Sequence, residues 1–138
     1  MKVIVFVKAN SDSEAGKMPN PEVFREMGRF NEELVKAGVM LAGEGLQPSS
    51  KGKRVRCAGK ERTVVDGPFS ETKELVAGFW IWQVKSIDEA VEWVRRSPFQ
   101  EGVIELRPIA GLEDYGDLPA DVIAQEARLR AESARNKT

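Results

Sequence analysis

The sequence contains no histidine. That absence excludes a Ser-His-Asp triad, a Cys-His nucleophile pair and any zinc site held by imidazole. Acid–base chemistry therefore falls to carboxylates, lysines, the single tyrosine Tyr115 or the single cysteine Cys57. One cysteine closes no internal disulfide, which suits a reducing compartment, so the expected location is cytoplasmic. No base motif accompanies Cys57, and it is expected to be a small core residue rather than a nucleophile. Net charge is lacking too. Lys and Arg number 21 against 22 Asp and Glu, a balance of -1. This removes any global electrostatic pull toward nucleic acid or an anionic membrane, and neither is expected as a partner. No run approaches the roughly 18 apolar residues of a membrane span. The short run in "MKVIVFVKAN" stops at Lys8 after five apolar residues and reads as a strand rather than a secretion signal. No cofactor and no metal are expected.

What is present describes one soluble domain of 138 residues, 41% hydrophobic and 31% charged. Residues 3–8 are β-branched and aromatic on both alternating faces, a strand that needs cover on both sides. A polar loop is expected at 11–20. Asn20 then offers an N-cap and Pro21 a first helical position. Val23, Met27, Phe30, Leu34 and Ala37 form one helical stripe, and Gly38 supplies the stop. A second strand runs over 39–48. Alternation around Ala58-Gly59-Lys60 predicts a hairpin of 51–57 and 62–66. "LVAGFWIWQVK" (75–85) is the strongest strand in the chain. Ser86-x-x-Glu89 reads as a capping box opening a helix to Arg96, with Ile87, Ala90, Val91 and Val94 inward. A last strand spans 102–109, and a final charged, Ala-rich helix spans about 119–134.

Without the hairpin this order is βαββαβ, the ferredoxin-like α+β arrangement. Its helices cover one face of the sheet only. Strands apolar on both faces then need a second cover, and the simplest is another copy of the sheet, so a homodimer is expected.

Few residues carry chemistry. In "VVDGPFSETKELVAGFW" (64–80), Asp66-Gly67-Pro68-Phe69 is one of two things. It is a corner that redirects the chain, followed by a turn capped by Ser70. Alternatively, it aims Asp66 into a pocket floored by Phe79 and Trp80, where a desolvated carboxylate suits general-base work. Glu44, between Gly43 and Gly45 on the face of Ala42 and Leu46, is the second catalytic candidate; otherwise it is an edge charge. Placed close together, Glu44 and Asp66 would form an acid–base pair. Lys51, Lys53, Arg54, Arg56, Lys60 and Arg62 make the hairpin basic, a solvated surface or an anchor for an anionic ligand. Ligand-binding candidates are Lys8 and Arg56 for an anionic group, with Phe69 and Trp80 as apolar walls; the tryptophans are otherwise core or dimer packing.

"MGRFNEELVKAGVMLAGEGLQPSSKG", "TVVDGPFSETKELVAGFWIWQVKSIDEAVEW" and "IELRPI" resemble the YCII-related domain family, in the branch named for its Asp-Gly-Pro-Phe motif. The resemblance spans about residues 1–116, leaving 117–138 as a C-terminal helical extension. It implies a dimeric α+β barrel built on a ferredoxin-like unit. It also implies a cleft with a His-Asp pair in the founding members, of which this chain keeps Asp66 alone, and an association of the branch with extracytoplasmic-function sigma factors. Three functions stay open: a small-molecule-binding domain, lyase-like or otherwise an acid–base enzyme; a non-catalytic ligand-sensing or regulatory dimer; and a purely structural interaction module.

Overall fold

The computed structural model describes residues 1–136, which cluster into two units, Met1–Pro108 and a second beginning at Ile109. The first holds six strands. Strands β1 (Lys2–Lys8), β2 (Met40–Gly45), β5 (Val76–Gln83) and β6 (Ile104–Pro108) form one sheet, and β3 (Lys53–Ala58) and β4 (Glu61–Asp66) form a separate hairpin. The sheet order is β2-β5-β1-β6 with every neighbour antiparallel. With the hairpin set aside, that is the ferredoxin-like order. The fold is α+β and ferredoxin-like, as the sequence pattern predicts.

Helices α2 (Pro21–Lys36) and α3 (Ile87–Arg95) are the two crossovers. Asn20 caps α2 by accepting from the Val23 amide at 3.1 Å. At its far end the Val39 amide reaches back to the Leu34 carbonyl at 2.9 Å, while Gly38 turns the chain with φ +72°. Leu34 and Val39 are both buried, completing a Schellman cap with its hydrophobic contact. The Ser86 hydroxyl accepts from the Glu89 amide, but the Glu89 carboxylate accepts from the Lys85 amide at 2.8 Å rather than from Ser86. The capping box is thus displaced by one residue on its return arm. Trp93, with Ala90, is the buried contact of α3, while Val91 and Val94 stay half-buried.

The core lies between the helices and one face of the sheet. Val3 and Val5 of β1, Trp80 and Trp82 of β5, Phe30 and Leu34 of α2, and Ala90 and Trp93 of α3 form one cluster. The alternating residues Ile4, Phe6, Phe79 and Ile81 fall on the sheet's other face, where no helix of this unit packs, and stay half-exposed.

Four local expectations change. The segment 11–20 contains a one-turn helix, α1 (Ser11–Glu14), because Asn10 accepts from the Ser13 amide while Ser13 accepts from the Asn10 amide. Strand β2 stops at Gly45 and leads into a 3-10 turn at Ser49–Lys51. Ser70 caps nothing: its hydroxyl donates to Glu71 at 3.3 Å, and the next turn, Thr72–Glu74, has no side-chain cap. Cys57 is exposed rather than in the core, because the β3–β4 hairpin buries no residue on either face.

The second unit contains a short 3-10 turn, Leu112–Tyr115, and α4 (Ala120–Arg135). Arg130–Glu126 and Arg128–Glu132 pairs at i,i+4 spacing line α4, and none of its residues is buried. Among the described residues no helix is long and apolar enough to cross a membrane.

Candidate functional site

Strand register creates the first cavity. A bulge between Met40 and Ala42 resets the alternation of β2, pairing Gly43 with Trp80, Glu44 with Phe79 and Gly45 with Gly78. Side chains directly opposite in an antiparallel pair share a face. Gly43, Gly45 and Gly78 therefore occupy consecutive helix-facing positions that carry no side chain. Across this bare stretch α2 projects Val23, Met27 and Asn31, and Val7, Trp80 and Phe99 close the sides. The cavity volume is about 410 Å³. The Trp80 indole lies across Gly43, where an added Cβ would come within 2.7 Å of Cδ1 and 3.1 Å of Nε1. Edge contacts with Phe30 (5.9 Å) and Phe99 (6.1 Å) hold the ring in place.

Trp80 Nε1 donates to Asn31 Oδ1 at 3.0 Å. An indole nitrogen only donates, so the amide oxygen must face it, which fixes the amide orientation. Asn31 Nδ2 then points elsewhere, and among the described residues it donates to no protein group. Asn31 is the one polar side chain that α2 contributes to a mostly apolar wall.

A second cavity of about 700 Å³ lies at the base of the hairpin, bordered by Glu14, Ser49, Lys51, Lys53, Arg54 and Phe69 among others. Both Glu14 oxygens bind Ser49, one at its amide (3.0 Å) and one at its hydroxyl (2.5 Å). Ser49 Oγ in turn accepts from the Phe69 amide at 3.1 Å. The Arg54 guanidinium lies over the Phe69 ring, 3.8 Å from its centroid.

The structure distributes the expected site residues widely. Trp80 lines the first cavity and Phe69 the second. Glu44 borders the first, but its register with Phe79 directs its side chain to the opposite face of the sheet. Asp66 lines neither cavity. It ends β4, 73% exposed, with Lys53 Nζ at 2.5 Å from its carboxylate. The burial against Phe79 and Trp80 on which its chemical reading depends is absent in this chain, because the corner leaves Asp66 on the exposed hairpin. Nor do Phe79 and Trp80 form one floor, since they occupy opposite faces of β5. Lys8, only 17% exposed, pairs with Glu105 at 3.5 Å on the sheet. Arg56 is exposed on β3 opposite Thr63 and lines neither cavity. Among the described residues no three His, Cys, Asp or Glu side chains converge as a metal site.

Asn31, Ser49 and Glu14 are the residues that sequence reasoning missed, while Arg54 belongs to the basic hairpin read as a solvated surface or an anchor for an anionic ligand. Asn31 carried a signal, since it sits four residues after Met27 and three before Leu34, a polar residue on the apolar stripe. The Glu14–Ser49 contact joins residues 35 apart and leaves no local trace.

The structure thus defines a ferredoxin-like α+β domain with a glycine-floored cavity between sheet and helix. The chain belongs to the YCII-related domain family, whose model matches residues 1–113. It is 31% identical over 121 residues to an uncharacterized protein of Rhizobium meliloti (strain 1021), a match covering 86% of this chain and 97% of that protein. Among solved structures it is similar to 5-chloro-2-hydroxyhydroquinone dehydrochlorinase from Burkholderia phenoliruptrix AC1100, in complex with 2,5-dihydroxybenzoquinone. That match has 19% identity and a TM-score of 0.42, covering 85% of this chain and all of the other. Nothing about that enzyme's reaction is carried over at this distance.

Proposed function

We propose that the domain binds a small, largely apolar molecule in the cavity under α2, with an acceptor atom of the ligand facing Asn31 Nδ2. The observation that carries this reading is the oriented Trp80–Asn31 pair inside a mostly apolar space. About 410 Å³ lies within the usual range of small-molecule sites, roughly 300–1,000 Å³. Glu44 borders the cavity with its register directed to the other side of the sheet, and Asp66 sits on the hairpin, so neither stands on the inner wall beside Asn31. This favours ligand sensing over acid–base catalysis. A regulatory dimer working with an extracytoplasmic-function sigma factor would use the same cavity as its sensor. A lyase-like or acid–base role would need a second subunit to bring Glu44 or Asp66 to the ligand.

Gly45→Leu tests the cavity. An added Cβ at 45 meets nothing within 4 Å, and the backbone there is not left-handed, so leucine enters open space without strain. Binding of acetophenone, a single ring with one carbonyl acceptor, is followed by tryptophan fluorescence. The expected result is a loss of about tenfold or more in affinity, with stability unchanged or raised by up to about 1 kcal/mol through the removed glycine. Equal affinity in wild type and variant would place the ligand elsewhere.

A second copy of this chain is the proposed cover for the open sheet face, where Ile4 pairs with Ile81 and Phe6 with Phe79 in one apolar row. Sedimentation at micromolar concentration should give a dimer, and Phe6→Asp should give a folded monomer. A wild-type monomer under those conditions would remove the proposal. We place the protein in the cytoplasm, where the exposed Cys57 thiol stays reduced.

A further inference from the structure

The hairpin-base cavity is built differently from the one under α2. Its cationic side chains are Lys51, Lys53 and Arg54, and its acid is Glu14. Glu14 is held on the turn, with both oxygens accepting from Ser49, and it forms no ion pair with those cations among the described residues. Ser49 fixes Phe69 through the 3.1 Å amide bond, and Phe69 supports the Arg54 guanidinium from below. Three residues from three chain segments, Glu14, Ser49 and Phe69, thus converge on the placement of one guanidinium.

A guanidinium stacked by its face keeps its N–H groups free in the plane, where they form a fork matching two oxygens of a carboxylate or phosphate. Arg54 has one acidic neighbour, Glu71, at 3.9 Å; that carboxylate is itself 62% exposed, a weak surface pairing. Lys53 is held by Asp66, whereas Lys51 makes no ion pair among the described residues. We propose that this cavity is an oxyanion site, in which Arg54 binds the carboxylate or phosphate group of a small molecule and Lys51 supplies a second positive charge. The two cavities share Gly45 at their edges, whereas Arg54 and Lys51 line this one alone.

Inorganic phosphate and benzoate, titrated separately by calorimetry in low-salt buffer, are the probes; phosphate has no apolar body and reports on this site alone. Millimolar or tighter binding of at least one is expected, and the tighter of the two identifies the group as phosphate or carboxylate. Arg54→Gln should weaken that binding about tenfold. Arg54→Lys should fall between, since lysine keeps the charge but loses the fork and the stacking. Arg95→Gln, on the exposed face of α3, removes the same charge and should change affinity less than about twofold. Arg54 is half-exposed, so both variants at this position should fold, as circular dichroism will check. Absence of millimolar binding by either probe would overturn the proposal. So would Arg95→Gln weakening binding as much as Arg54→Gln, since the effect would then be one of net charge.

Discussion

Trp82→Ala is expected to cost about 3–5 kcal/mol, a large share of a typical domain's roughly 5–15 kcal/mol. Trp82 is fully buried at the centre of the sheet, between Val3 on one neighbouring strand and Met40 on the other. Its ring meets Trp80 at 5.5 Å and the edge of Phe30 at 6.4 Å, so truncation empties the space beneath both helices. Trp82→Phe should cost far less than the ring's size suggests. The Trp82 indole nitrogen is buried and has no hydrogen-bond partner among the described residues. Leaving such a donor unsatisfied costs about 1–3 kcal/mol, and phenylalanine removes that penalty while keeping most of the packing. Urea denaturation of both variants reads the difference. If Trp82→Phe proves as damaging as Trp82→Ala, the void dominates and the orphaned N–H contributes little.

The elements were legible wherever the signal is local. Asn20, Pro21 and Gly38 bound α2 because caps act within one turn, and β5 declares itself through the run of large apolar residues Phe79, Trp80, Ile81 and Trp82. The sheet order followed from the βαββαβ sequence alone. The cavity did not, because it depends on register. "LAGEGL" and "VAGFW" each show glycines, but only pairing across β2 and β5, reset by the bulge at Leu41, brings Gly43, Gly45 and Gly78 onto one face. The same register turns Glu44 away from that face. Asp66 was ambiguous for a related reason. Its corner chemistry is local, whereas its burial depends on what lies over the hairpin, and nothing in the described chain does. Cys57 was misread because an apolar residue in a strand implies a core only when that strand joins a covered sheet.

Gly67→Ala should detach the corner from its support. A Cβ built on Gly67 would overlap the Ser49 carbonyl oxygen outright and approach its carbonyl carbon to 2.7 Å, with the Gly52 oxygen at 3.3 Å. These are backbone atoms, so no side-chain rotation relieves the clash. The Ser49–Lys51 turn is moreover fixed on its far side by Glu14, and the Gly67 amide donates to the Gly52 carbonyl at 3.0 Å. To admit one methyl group, either the 3-10 turn must move off Glu14 or the corner must swing away from Ser49. Overpacking of this kind typically costs about 1–3 kcal/mol, and losing the buried-edge hydrogen bonds adds about 1 kcal/mol for each. The expected destabilisation of about 2–4 kcal/mol should be local in its signature. Hydrogen exchange should accelerate at the Ser49, Gly67 and Phe69 amides while those of β1 and β5 keep their protection. The same displacement would release Phe69 from beneath Arg54, so phosphate or benzoate affinity should fall in parallel with the lost protection. A Gly67→Ala protein with wild-type stability and unaltered exchange at Ser49 and Phe69 would mean that the corner does not pack against the turn in solution. The supports of the Arg54 cradle would then be gone as well.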